Sequence, residues 1–278
     1  MKSKKRWSRQ CMYLLIAALL GVFIWWNNCA LTISRVQLET DVDEGIRILH
    51  LSDLHGAWFG KEQSRLVGYA EEIEPDVIVI TGDFIDHTCD EKPSAALLEG
   101  LAGIAPVYCV TGNHEDTERQ LRPESYERLL DAIERTENAH LLRGETVALT
   151  DEITLTGADD LRFAGGLDGF SVYLKGLGEQ AAGKYRILLA HRPEWIDAYA
   201  AAGFDLTLSG HAHGGQIRLP FTDGLLAPGQ GFFPKYTNGL YEHERGMRLV
   251  VSRGLGNSVP VPRLFNRREI ALIEVGGE

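Results

Sequence analysis

Three apolar runs constrain the chain most: "IRILHLS" from Ile46, "DVIVITG" from Asp76 and "PVYCVTG" from Pro106. A strand with one face in water alternates apolar and polar residues. Runs this continuous belong to a sheet covered on both faces, whose strands pair mostly in parallel. Helix-spaced segments follow each run: "EQSRLVGYAEEIE", "SAALLEGLAGI" and "ESYERLLDAIERT". The second half is richer in strands: "HLLRGETVAL", "EITLTGA", "RILLAHR", "FDLTLSGHAH", "MRLVVSRG" and "EIALIEV". Such a pattern predicts an α/β fold, a four-layer αββα sandwich of two packed sheets with helices outside. No linker rich in Pro, Gly or Ser divides it, so residues 34–278 form one domain.

A different segment precedes that domain. Residues 1–10 are basic, and Cys11 to Ile33 carry no charge. A helix crosses a bilayer with about 20 mostly apolar residues. Residues 11–33 therefore read as a membrane anchor, with Trp25 and Trp26 as interfacial aromatics. The basic flank predicts a single-pass cell-membrane protein, N-terminus in the cytoplasm and the domain outside it. A cleaved signal peptide is the alternative, but no A-x-A site follows the run; an amphipathic surface helix is a third reading. Beyond residue 29 the chain holds 23 basic and 39 acidic residues, a formal charge of −16. That excess of acid argues against a nucleic-acid partner, whose phosphates call for Lys and Arg. There is no C-x-x-C zinc motif among the four cysteines. A Cys89–Cys109 disulfide is open, though Cys109 inside "PVYCVTG" reads as a buried strand residue.

Polar residues gather where the apolar strands end. "LSDLHG" carries Asp53 and His55, "TGDFID" carries Asp83 and Asp86, and "TGNHED" carries Asn113 and His114. "LAHRPE" carries His191, and "LSGHAHGG" carries His211 and His213. Ligands of open α/β sheets bind at the carboxyl ends of strands, so these side chains can converge. Singly, each is an ordinary turn or cap residue. As a set they offer oxygen and nitrogen donors without thiolate, which suits Mn, Fe or Zn better than Mg or Ca. The donors exceed one tetrahedral site. Two ions bridged by one carboxylate would use them all, lower the pKa of a shared water and clamp a phosphoryl group. If the strand continues extended past Ser209, His211 and His213 point to one face, one imidazole for each ion. Gly210 and Gly214–Gly215 would then leave room for turns and for a phosphate.

In this order the blocks "DLH", "GDFID", "GNHE", His191 and "GHAH" resemble the calcineurin-like metallophosphoesterase family. Such similarity covers about residues 45–276. "SGHAHGGQIRLPF", "LAPGQGFFPKYTNGLY" and "VPRLFNRREI" are closer to membrane-associated or exported bacterial members related to UDP-2,3-diacylglucosamine hydrolases. Arg268 stands where proline is commoner in that branch, outside the metal blocks. The resemblance implies that Asp53, His55 and His213 hold one divalent transition-metal ion, manganese first. Asn113, His191 and His211 would hold the second, with Asp83 bridging. It further implies that His114 acts at the phosphate and that Asp86 orients His114. A metal-dependent phosphoesterase acting on a phosphodiester or pyrophosphate is the expected activity. Its substrate would be lipid-linked, part of the cell envelope, or a nucleotide sugar. A membrane-anchored phosphomonoesterase, a protein phosphatase or a non-catalytic binding module are the alternatives. Arg218, Arg253 and Arg263 are candidate phosphate contacts because the guanidinium fork matches those oxygens. "GQGFFPKYTNGLY" is a candidate wall of the substrate cleft.

Overall fold

A computed structural model describes residues 2–163, 166–219 and 223–276. The basic side chains of residues 2–9 lie outside that description. Helix α1 runs from Lys2 to Cys29 and its segment Gln10–Cys29 is apolar and almost wholly exposed. The uncharged run expected as far as Ile33 is divided: Leu31–Leu38 form strand β1 of the domain. β1 pairs in parallel with β14, Arg268–Val275, Leu31 facing Arg268. Helix α1 and the domain are thus joined by a single residue, Ala30.

The predicted strands form the centre of the first sheet. β2 (Ile46–Leu51), β3 (Val77–Thr81), β4 (Val107–Val110) and β5 (Ala139–Leu141) lie side by side in parallel. β14 closes on β2 antiparallel, giving the order β1-β14-β2-β3-β4-β5. The second sheet contains β6 (Thr146–Ala148), β7 (Ile153–Gly157), β8 (Tyr185–Leu189), β9 (Leu206–Ser209), β12 (Gly239–Glu242) and β13 (Arg248–Val251), while β10 (Leu226–Ala227) and β11 (Gly231–Phe232) pair as a separate short hairpin. Its order is β12-β13-β9-β8-β7-β6, parallel through β13-β9-β8-β7. "HLLRGETVAL", expected as one strand, is cut between sheets: β5 belongs to the first and β6 to the second.

Continuous apolar strands have the reason anticipated for them. On β2 and β3, Ile46, Ile48, Val77 and Val79 face the second sheet, where they meet Leu155, Ile187, Leu208 and Val250. Their neighbours Leu49, Leu51, Ile78 and Ile80 face outward onto helices. Those helices are α2 (Ser64–Ile73), α3 (Lys92–Ala102) and α5 (Pro123–Arg135), which bury Leu66, Leu97, Leu98, Leu129 and Ile133. The second sheet is covered by α6 (Gly166–Gln180) and α7 (Ile196–Ala202), through Phe170, Leu174 and Tyr199. The fold is therefore the predicted αββα sandwich. Each such side chain contributes about 1.5–3 kcal/mol on full burial. All four cysteines are free, and Cys109 is buried on β4 as expected.

Candidate metal centre

The site is built by a repeated local device. Asp53, Asp83, His191 and His211 each stand two residues beyond the end of a strand: β2, β3, β8 and β9. Asn113 opens α4, Asn113–Leu121, just after β4. Because β2-β3-β4 and β8-β9 are neighbours in their sheets, all five endings meet at one edge of the sandwich. The two sheets are tied there by the His211 amide, which donates to both oxygens of Asp53 at 3.0 and 3.1 Å.

The ligand-bearing backbone is not extended. Asp53, His55, Asp83, His211 and His213 all have positive φ, between 46° and 66°. Left-handed backbone costs a residue with a side chain on the order of 1–2 kcal/mol. The expected strand alternation at "GHAH" therefore fails: β9 stops at Ser209, and two left-handed turns aim the imidazoles instead. Glycines clear space for the ligands rather than for a phosphate. A Cβ on Gly210 would lie 1.8 Å from Ser52 Oγ and 2.4 Å from Asp53 Oδ2, and one on Gly112 would lie 2.2 Å from Asp83 Oδ1. Gly214 gives way to Asn266, whose amide donates to the His213 carbonyl at 2.7 Å.

Two clusters share one carboxylate. Asp53, His55, Asp83 and His213 form the first and Asp83, His191 and His211 the second, the ligand atoms of each lying within 4.8 Å of one another. Asp83 Oδ2 stands 3.6 Å from His55 Nε2 and 3.2 Å from His191 Nε2. Imidazole nitrogens face each other in pairs, His55 Nε2 with His213 Nε2 at 3.2 Å and His191 Nε2 with His211 Nδ1 at 3.1 Å. Asn113 Oδ1 joins the second cluster, 3.2 Å from His191 Nε2. His191 Nδ1 is 2.7 Å from the Thr81 carbonyl; donation there leaves Nε2 free to ligate, the usual arrangement for a metal-bound histidine. Buried, paired nitrogens and carboxylates without thiolate are a donor set that fits divalent cations.

Electrostatics support that fit. Burial pushes the His211 and His213 rings well below their ordinary pKa. The positive fields of His191 and Arg192, and of His55 and Arg263, add to the shift. Both rings are therefore neutral, the form that ligates. Burial also raises Asp53 to about 6, and Asp83 adds to the rise. For His191 burial works downward, but the carboxylates of Asp83, Asp53 and Asp160 together outweigh it and lift the ring to about 10. Metal-free protein at pH 7 thus carries a proton on His191 that a ligand must lose. Metal uptake is expected to release protons and to weaken as pH falls, more steeply below pH 6 where Asp53 also protonates. Calorimetric titration in two buffers of different ionisation enthalpy measures this; a buffer-independent heat would contradict it.

His114 and Asn113 are the half-buried members of a group otherwise closed to solvent, so they mark its mouth. His114 lies edge-on to His55, ring centroids 4.7 Å apart, and its amide donates to Asp83 Oδ1. Asp86, expected to orient His114, shows no hydrogen bond to it among the described residues, though the His114 ring is near enough to act on its charge. Its Oδ2 faces His55 Nδ1 at 3.6 Å, and its Oδ1 accepts from Thr88.

The three arginines separate. Arg263 is completely buried; its Nη2 lies 3.2 Å from His213 Nδ1 and donates to the Gly256 carbonyl, while Nη1 donates to the Arg253 carbonyl. Arg253 pairs with Glu269 at 3.4 Å. Arg218 bonds Gly214, Thr237 and Asn238. All three brace loops around the site. The GHAH-side loop "GQGFFPKYTNGLY" contributes Phe232 to a cavity bordered by His213.

Glu115 and Arg192 were not singled out from the sequence. Glu115, fully buried, accepts from the amides of Asp83, Phe84, Ile85 and Gly112. Burial and the charge of Asp83 push its carboxyl up to about 7. The available signal was an acid three residues after Gly112 at a helix start, the spacing of a capping box. Arg192 bridges Asp160, at 2.5 Å, and His211 Nε2, at 3.4 Å.

Fold and site together define a metal-dependent phosphoester hydrolase. The chain belongs to the calcineurin-like phosphoesterase family, whose pattern matches residues 46–215. It is 29% identical over 254 residues to phosphodiesterase YaeI of Escherichia coli, covering 87% of this chain and 86% of that one. An uncharacterized metallophosphoesterase of Aquifex aeolicus is 29% identical over 287 residues, covering 95% and 99%. A zebrafish transmembrane protein with a metallophosphoesterase domain is 32% identical over 280 residues, covering 94% of this chain and 61% of its own. Among solved structures, TT1561 of Thermus thermophilus shares the fold, with a TM-score of 0.51 at 14% identity, covering 76% of this chain and 90% of that one.

Proposed function

We propose that the protein is a membrane-anchored phosphodiesterase that works with two divalent transition-metal ions, manganese foremost. The observation that carries this reading is Asp83 Oδ2, which faces a histidine of each cluster. Asp53, His55 and His213 would hold one ion and Asn113, His191 and His211 the other. When bound, such a pair supplies Lewis-acid stabilisation of the phosphoryl oxygens and an activated water. The chain's own contribution is to keep the imidazoles neutral, to hold the carboxylates in place by backbone amides and to exclude bulk water behind His114. His114, at the mouth and not a member of either cluster, would donate a proton to the leaving oxygen or stabilise charge on the phosphoryl group. Asp86 faces the His55 ring, and its charge would also favour the protonated form of His114.

The substrate class we favour is a lipid-linked or envelope phosphodiester, because α1 joins the domain through one residue. With the basic tail in the cytoplasm, the domain would work on the far side of the membrane. A reporter fused to the C-terminus and active only outside the cytoplasm tests that orientation. His114→Ala is expected to lower kcat on bis(p-nitrophenyl) phosphate by about 10²–10³-fold with metal content unchanged. Loss of metal in that variant would make His114 a ligand or a support and remove it from the chemistry.

A further inference from the structure

Beside the metal cluster lies a cavity of about 320 Å³ with His213 at its border. Ile217, Leu225, Pro228, Phe232, Val259 and Val261 supply its apolar wall. Gln216 and Ser258 also border it, and the Gln216 amide nitrogen is already bonded to Asn257 Oδ1 and to the Val261 carbonyl. A sugar or base placed there would give up hydrogen bonds to water with few partners in return, whereas an alkyl chain gives up none. The rim is equally apolar. Phe232 and Phe233 are 71% and 73% exposed, and Val259, Val261 and Phe265 are exposed too. On a domain surface that excludes most such groups from water, exposed apolar groups gathered at a cavity mouth, as Phe232, Val259 and Val261 are, mark a contact surface.

The end of α1 is fastened to the same loop. Asn28 exchanges two hydrogen bonds with the backbone of Arg263, at 2.9 and 3.1 Å. Phe23 packs on Phe265 with ring centroids 5.1 Å apart, and the Arg267 guanidinium lies 3.8 Å above the Trp26 ring. The segment from residue 257 to 267 is therefore cavity wall at one end and helix seat at the other. A helix that spans the membrane brings this rim to the bilayer surface.

We infer that the cavity is an acyl-chain site, which takes one tail of a membrane phosphoester lipid and sets its phosphoryl group against the metal cluster. This rests on the phosphodiesterase reading and on α1 as a membrane span. The rim aromatics dip into the interface, and the chain passes between the β10–β11 hairpin and the loop carrying Val259 and Val261. His213, which belongs to both the metal cluster and the cavity border, fixes how near tail and phosphate come.

The test uses the full chain in vesicles of phosphatidylethanolamine and phosphatidylglycerol, doped with phosphatidylglycerol carrying a diazirine in its acyl chain. After photolysis, labelled peptides are mapped by mass spectrometry. Label within 213–228 and 257–261 is expected, and Val261→Asp should remove it there while α1 stays labelled. Label confined to α1 in the wild-type protein would overturn the site. A second measurement follows kcat/KM along methyl, butyl and octyl p-nitrophenyl phosphodiesters, which should rise at least about tenfold as methylenes are buried. A flat series with ready turnover would overturn the acyl site and leave the phosphodiesterase reading intact. Absence of turnover from every ester would count against that reading alone, since the labelling pattern needs no chemistry.

Discussion

Asp83→Ala is expected to strip the protein of metal at both clusters and to lower phosphodiester turnover by at least about 10³-fold. Each other donor serves one cluster; Asp83 serves both, through an oxygen 3.6 Å from His55 and 3.2 Å from His191. Its second oxygen accepts the His114 amide, so the same carboxylate also holds the mouth of the site. Asp83→Asn separates these roles, because the amide keeps the shape and removes the charge. His213→Ala, by contrast, should empty only the cluster it belongs to. Elemental analysis after manganese-supplemented purification, with bis(p-nitrophenyl) phosphate turnover on the same samples, reads all three. An Asp83→Ala protein with wild-type metal content would refute the shared-carboxylate arrangement.

The architecture was legible where one physical cause dominates. A strand buried on both faces is apolar along most of its length: β3 and β4 carry no charge, and only Arg47 and His50 in β2 and Arg186 in β8 interrupt the run. Convergence of the ligands was legible too, because parallel strands share one carboxyl end and every ligand block follows a strand. What failed was local. β1 is hidden because its first residues, Leu31–Ile33, continue the uncharged run of α1; Arg35 and Gln37, alternating with Val36 and Leu38, are the signal that the chain has left it. α6 holds four glycines in fifteen residues, a poor helix by propensity. Packing forms it: Phe170, Leu174 and Leu177 bury beneath α7, and a Cβ on Gly178 would lie 1.9 Å from the Ala202 carbonyl. The "GHAH" turn was misread because strand alternation is a rule for extended backbone. The site instead places five ligands in left-handed conformations, which the surrounding hydrogen bonds hold. Strain of this kind gathers at functional sites and is not encoded by residue type.

Glu115 is the costliest omission, and it yields the second large effect. Its two carboxylate oxygens take the amides of Gly112, Asp83, Phe84 and Ile85, all buried. Asp83 sits at φ 55° within that cradle, so the acid holds the carboxylate shared by the two clusters in a conformation its own backbone resists. Glu115→Ala would leave buried donors without partners and is expected to cost about 3 kcal/mol or more of stability. Metal affinity should fall about 10–100-fold, as for other residues that orient a ligand without touching the ion. Glu115→Gln keeps one acceptor but turns an NH₂ toward other N–H donors, so its loss should be intermediate. Thermal unfolding of the metal-free variants measures the first effect and manganese titration the second. If Glu115→Ala melted with the wild type and bound manganese equally well, the Asp83 turn would be self-supporting. The carboxylate would then be a helix-start cap and nothing more.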